Sequence, residues 1–262
     1  MAMSFDTPTN TTHRPWPVPA GPWVMTQTWH NLLFAHWPCP PEVLRPLIPE
    51  GVELDTFEGQ AWVGIIAFRM TGIRLHGCPL VPLFNQFAEI NVRTYVTLDN
   101  KPGVYFLSLD ADNPPAITIA RSWFHLAYRH ARIRFEMYGD TVSFESKRNE
   151  QGQLAAYFAG TYRPVAEARK SVPGTLENWL TERYCFYAAN NHGQLYCGEV
   201  HHEQWPLQPA QADITSNTMA LSHGIQLPPT QPLLHYAHHV KALVWSAHRL
   251  RLQPEQAMER AY

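Results

Sequence analysis

Residues Glu89-Ile90-Asn91-Val92-Arg93-Thr94-Tyr95-Val96 constrain the chain more than any other stretch. At the period of two that a β-strand imposes, Glu89, Asn91, Arg93 and Tyr95 share one face, and Ile90, Val92, Thr94 and Val96 share the other. Asp99-Asn100-Lys101-Pro102-Gly103 supplies a turn, and Val104-Tyr105-Phe106-Leu107-Ser108-Leu109 runs back as the second arm of a hairpin. The polar face looks either to water, as on a one-sided antiparallel sheet, or into the interior of a closed barrel. In a barrel an acid, an amide, a guanidinium and a phenol would line a pocket with directional hydrogen-bonding groups. Periodicity alone leaves both readings open.

The rest of the chain can supply a core around such a strand. Of its 262 residues 45% are hydrophobic, with 9 Trp, 11 Tyr and 12 Phe, which argues against disorder. The 23 Pro fall mainly in connections and point to short strands and ordered loops rather than long helices. A formal net charge of -2 gives no electrostatic footprint for nucleic acid or an acidic membrane. The four cysteines, Cys39, Cys78, Cys185 and Cys197, lack a C-x-x-C spacing, so free buried thiols are expected. Residues 1–14 are polar and Thr-rich without an apolar leader core, and no run approaches the roughly 18 apolar residues of a membrane span. The expected setting is cytoplasmic.

Read in order, residues 1–22 form an irregular N-terminal segment, 23–250 one domain, and 251–262 a polar tail. A first strand is expected at 23–29, then a second apolar stretch at 32–37, followed by a short helix opened by Pro41 and limited by Pro46 and Pro49. Residues 52–57 and 61–70 flank Glu58-Gly59-Gln60 as a hairpin, and a Pro-rich loop, 76–82, leads to the Glu89 strand. Pro114-Pro115 opens a helix with Arg121 on its exposed side. A meander follows over 132–138, 141–146 and 154–162. Thr175 caps a short helix over 176–183, a hairpin spans 184–200, and a last strand covers 237–247. The class expected is α+β, mainly antiparallel β.

Several of these stretches together resemble the bacterial YqjF-like family. They are His36-Trp37 with Pro41 and Leu44-Arg45-Pro46-Leu47-Ile48-Pro49; Leu54-Asp55-Thr56-Phe57-Glu58-Gly59-Gln60-Ala61-Trp62-Val63; the Glu89 strand with Lys101-Pro102-Gly103-Val104-Tyr105-Phe106; Ala120-Arg121 before Tyr128; Thr181-Glu182-Arg183-Tyr184; and His202 with Trp205-Pro206-Leu207. That family is similar to the acetoacetate decarboxylase-like superfamily. The resemblance implies a closed, cone-like β-barrel with a few flanking helices, and favours an inward-facing Glu89, Asn91, Arg93 and Tyr95. The decarboxylases act through a lysine whose pKa is lowered by burial and a second lysine, forming a Schiff base with a keto acid. Aligned on Ala120-Arg121, that lysine pair falls at about Tyr128 and Arg129, and neither side chain forms an imine. Their pocket glutamate is matched by Glu89.

The resemblance and the residues together suggest a pocket for a small carbonyl or carboxylate compound. A lyase, hydratase or isomerase without a Schiff base is one reading; a non-catalytic binding or sensor protein is the alternative. Glu89 and Tyr128 are the candidate catalytic groups, and Asn91, Arg93, Tyr95 and Arg121 the candidate ligand-binding groups. Glu89 and Arg93 lie on the order of 13 Å apart along the strand, too far to pair directly. Neither a cofactor nor a metal is expected. His235, His238 and His239 are close in sequence and His201-His202 precede Trp205, but strand alternation puts His238 and His239 on opposite faces, and no His-Glu-x-x-His occurs. The expected partner is a small molecule, with no nucleic acid or membrane; a homo-oligomer is compatible with the chain. Lys101, Lys147, Lys170 and Lys241 are the only lysines. Borohydride reduction in the presence of acetoacetate should therefore leave the protein's mass unchanged, and a stoichiometric adduct on any of the four would contradict the loss of imine chemistry.

Overall fold

The computed structural model describes residues 10–78, 86–148, 152, 154–190 and 192–250. The tip of the expected Pro-rich loop, part of the N-terminal segment and the polar tail lie outside these residues. In chain order the elements are β1 (Met25–Cys39), α1 (Pro41–Leu44), β2 (Glu53–Leu54), β3 (Ala61–Leu75), β4 (Gln86–Leu98) and β5 (Lys101–Ala111). Then come α2 (Pro114–Phe124), β6 (Tyr128–Tyr138), β7 (Thr141–Arg148), β8 (Tyr157–Pro164), α3 (Leu176–Thr181), β9 (Cys185–Ala189), β10 (Leu195–His202), β11 (Leu207–Asn217), β12 (Leu233–Val244) and β13 (His248–Arg249). Mostly strand with few helices, this is the expected α+β class. No helix among the described residues is long and apolar enough to cross a membrane.

Five long strands, in the order β12-β1-β3-β4-β5, form the antiparallel centre. Their outer members each split a free edge between two partners. The β5 edge pairs with β9 at Val104 and Tyr105 and with β6 at Leu109 to Ala111, both in parallel. The β12 edge pairs with β11 at His235 to Ala237 and with β10 at Ala242 to Val244. One route from β5 back to β12 thus runs through β6, β7, β8 and β11, and a second runs through β9 and β10.

These routes cover opposite faces of the centre. Ile90 and Val92 of β4 pack with Leu33 and Ile65 and with Phe144 and Phe158 of β7 and β8. Residues one step along each strand, Phe34, Ile66 and Phe68, join Tyr128, Trp205 and Ile117 of α2 on the other side. Ile90 and Val92 therefore lie under a second layer of strands, not under helices as a flanking-helix picture suggests. Val96 packs apart from them, with Tyr187, Cys185 and Cys197. All four cysteines are free.

Local chemistry explains most element ends. Pro114 and Pro115 start α2, the Asn113 side chain accepts the Ala116 N–H at 3.0 Å, and His125 ends the helix at φ 55. Thr175 caps α3 through the Asn178 N–H. Three expectations need correction. The stretches 23–29 and 32–37 are one strand, β1, whose pairing with β3 is irregular around Asn31, held at φ 52. Residues 52–57 do not pair with β3: β2 pairs with β4, and only Phe57 and Gln60 bridge across the turn. β11 was not foreseen, because Pro209, Ala210, Gln211 and Asp213 are weak strand formers.

Behind β5, Asp110 is fully buried and accepts from Arg148 Nε at 2.9 Å and Nη2 at 2.8 Å, while Nη2 also reaches Ser108 Oγ at 3.0 Å. The pair ties β5 to β7. Asp110→Asn leaves the guanidinium buried without its counter-charge and should cost about 3–5 kcal/mol in denaturant unfolding. Asp110→Leu with Arg148→Met removes both charges and should cost less than the single change; equal losses would show that the pair is not the strut between these strands.

Candidate functional site

Alternation on β4 carries Glu89, Asn91 and Arg93 to the face opposite Ile90 and Val92, where they line a cavity of about 180 Å³. Apolar side chains from β1, β3, β5 and α2 make up most of its wall, with Tyr128, Thr181, Arg183, His202 and Trp205 among the rest. No lysine lines it among the described residues. Glu89 is 2% exposed and Asn91 3% exposed. Water is thus excluded as the destination of this polar face.

Tyr128 is the first residue of β6, not part of a helix, because His125 turns the chain out of α2. Its backbone is heavily fastened. The carbonyl oxygen accepts from Arg121 Nε at 2.9 Å, Arg121 Nη2 at 2.7 Å and Arg129 Nη1 at 3.1 Å. The phenol then donates to Glu89 Oε2 at 2.7 Å, and Asn91 Nδ2 donates to Glu89 Oε1 at 3.2 Å. Arg121, expected at the ligand, instead lies outside the cavity lining and holds the strand that carries Tyr128.

Burial dominates the electrostatics of this cluster. It raises the Glu89 carboxyl to about 7, against the opposing pull of the Tyr128 and Asn91 hydrogen bonds. The Tyr128 phenol is pushed well above its ordinary value by burial and by Glu89. His202 is lowered to about 3, chiefly by burial, so it is neutral near pH 7.

Arg93 and Arg183 form a second polar cluster. Arg93 Nη2 donates to the Leu180 carbonyl at 3.2 Å, and its guanidinium sits 5.7 Å from both the Phe34 and Tyr95 ring centroids. No carboxylate lies within ion-pair distance of it among the described residues. Arg183 pairs with Asp55 at 2.6 Å, donates to the Trp179 carbonyl at 2.7 Å, and lies 5.0 Å from the Tyr95 centroid. Four buried polar atoms on cavity-lining residues have no protein partner: Asn91 Oδ1, Arg93 Nε, Arg183 Nη2 and Trp205 Nε1.

Tyr95 stays on this side of β4 but does not line the cavity. It is covered by Trp179 at 4.7 Å between centroids, and its hydroxyl shares a 2.7 Å hydrogen bond with His36 Nε2. Arg183, Thr181, His202 and Trp205 carried no assigned role in the sequence. Arg183 and His202 sit in motifs with familiar spacing, but nothing local shows that the chain after α3 turns them inward. The histidines of β12 also differ from expectation. His238 and His239 are both exposed, with their Nδ1 atoms 3.1 Å apart, because the strand's inside–outside alternation breaks there. His235 is buried and reaches Glu177 at 3.4 Å.

Comparison with known proteins places the chain in a family and supports its fold. The family of uncharacterized conserved proteins called DUF2071 matches over residues 26–241. The Uncharacterized protein YqjF of Bacillus subtilis (strain 168) is 44% identical over 228 residues, covering 87% of this chain and 93% of that protein. Among solved structures, acetoacetate decarboxylase from Legionella pneumophila superposes with a TM-score of 0.61 at 13% identity, covering 94% of this chain and 93% of its own. The enduracididine biosynthesis enzyme MppR, complexed with the condensation product of pyruvate and imidazole 4-carboxaldehyde, gives 0.61 at 9% identity, covering 87% and 90%. At such identities the structural likeness speaks for the fold alone. The chain belongs to the DUF2071 family and has an acetoacetate decarboxylase-like fold.

Proposed function

We propose that the two routes of strand pairing act as a closed, cone-like barrel around a ligand pocket, and that the protein is an acid–base enzyme of the lyase, hydratase or isomerase type. Its substrate is a carbonyl or carboxylate compound, and no Schiff base forms. One observation carries the reading: a buried carboxyl held near pH 7 touches a phenol at a cavity wall. A general base is most effective when its pKa lies near the working pH. In its ionised form Glu89 takes the proton from the carbon next to a carbonyl, and that electron pair moves onto the carbonyl oxygen. Tyr128 or Asn91 stabilises the resulting enolate by donating a hydrogen bond. Return of the proton to a different carbon completes an isomerisation; loss of a group from the β-carbon completes an elimination.

The fold neighbours include enzymes, among them one complexed with a pyruvate condensation product, which supports a carbonyl substrate without identifying it. A purely binding protein would share the pocket. It would gain nothing from a carboxyl buried at such cost, and that observation favours catalysis.

Proton exchange into levulinate and 7-oxooctanoate, followed by NMR in heavy water, tests the reading. The rate should rise as pH increases through about 7, where Glu89 ionises. Glu89→Gln should lower it by about 10²–10⁴, and exchange at the wild-type rate in that variant would refute the role.

Stability should move the other way. Glu89 titrates higher in the folded state, about 7 against an ordinary 4.5, so its stabilising contribution is fully present below 4.5 and lost as pH rises toward 7. Melting temperatures measured from pH 5 to 8 should accordingly show wild type losing ground to Glu89→Gln.

A further inference from the structure

We infer, building on the reading of the cavity as a carbonyl or carboxylate site, that its ligand is an amphipathic monocarboxylate. The carboxylate is held between Arg93 and Arg183, and an apolar body lies along the aromatic wall. Arg93 and Arg183 both line the cavity, and both lie near the Tyr95 ring, at 5.7 and 5.0 Å from its centroid. Arg93 Nε and Arg183 Nη2 are buried without a protein acceptor. Arg183 itself is 7% exposed. A buried donor left unpaired is costly, and a carboxylate satisfies two such N–H groups at once.

Charge sets the head group. Asp55 neutralises one guanidinium of the two, at 2.6 Å from Arg183 Nη1. One positive charge remains, which a single carboxylate balances; a phosphate dianion or a dicarboxylate would bring an excess negative charge into a low-dielectric site.

Size sets the body. A cavity of about 180 Å³ offers roughly a dozen water-sized positions, more than a four-carbon keto acid fills. Phe34, Phe68, Phe106, Phe124 and Phe186 line it and offer nothing to a second polar end. Glu89 and Arg93 are four residues apart on one face, on the order of 13 Å along the strand. A ligand that engages both therefore carries its carbonyl several carbons from its carboxylate. Medium-chain oxo acids fit this description; three- and four-carbon keto acids do not.

Isothermal titration at pH 6 with butyrate, hexanoate, octanoate and decanoate, and with 1-octanol as the uncharged control, tests head and tail separately. Affinity should tighten roughly three- to four-fold per methylene until the cavity is filled. Octanol should bind at least about ten-fold more weakly than octanoate. Arg93→Met should abolish the preference for octanoate over octanol, and Arg93→Lys should restore part of it. Should Arg93→Met not fold, the wild-type comparisons decide alone. Short carboxylates or keto acids that bind without any gain from lengthening would overturn the apolar-body inference and leave the proposed function standing. Equal binding of octanol and octanoate would overturn the guanidinium head site. Failure of every carboxylate, and of levulinate, to bind would remove the proposed function together with this inference.

Discussion

The structure depends on how β5 and β12 share their edges. Each strand spends one edge on a long antiparallel neighbour and divides the other between two partners. Strands diverge from these points to opposite faces of the central sheet. Both faces of β4 are consequently covered, one by the aromatic core around Phe144 and Phe158 and one by the cavity and its helical wall. Glu89 and Asn91 on one face of β4, and Ile90 and Val92 on the other, are then all buried. The same pattern on a one-sided sheet would be unremarkable; here it sets a carboxyl, an amide and a guanidinium against an apolar space.

That placement governs the chemistry. An ionised carboxylate in such a space is disfavoured, and the two hydrogen bonds it receives only partly offset its desolvation. The Tyr128 phenol, held by the arginines that grip its carbonyl, fixes the carboxyl's orientation. An exposed helical arginine, Arg121, grips the Tyr128 carbonyl and lies outside the cavity lining. Cationic character comes from a different direction, through Arg93 on β4 and Arg183 beyond α3, joined across the Tyr95 ring. Acid and cation thus occupy separate stations of one cavity.

Much of this was legible in the sequence because β-strand alternation is strict. Glu89, Asn91 and Arg93 were assigned to one face from period alone, and that face lines the cavity. Resemblance puts Tyr128 at the place of the missing lysine pair without saying what it touches; in the structure its phenol meets the Glu89 carboxyl. Tyr95 shows the limit: parity gives the face, but Trp179, far away in sequence, decides whether that face meets the cavity or a packed side chain. Arg183 shows another. Its inward direction follows from pairing with Asp55 and stacking on Trp179, contacts that no local pattern encodes. The β2 pairing was misread because a Gly-containing turn signals a hairpin, while β4 competes for the same strand. β11 escaped because tertiary pairing with β8 and β12 overrides its weak intrinsic preference.

The central claim is that Glu89 is a buried acid–base group coupled to Tyr128. Carbon-13 NMR of the glutamate side-chain carboxyl, followed through a pH titration and assigned by the loss of one resonance in Glu89→Gln, measures it directly. The account predicts a midpoint at about 7 for Glu89, moving higher in Tyr128→Phe because the phenol's hydrogen bond favours the ionised form. A midpoint at the ordinary 4.5, indifferent to Tyr128→Phe, would contradict it.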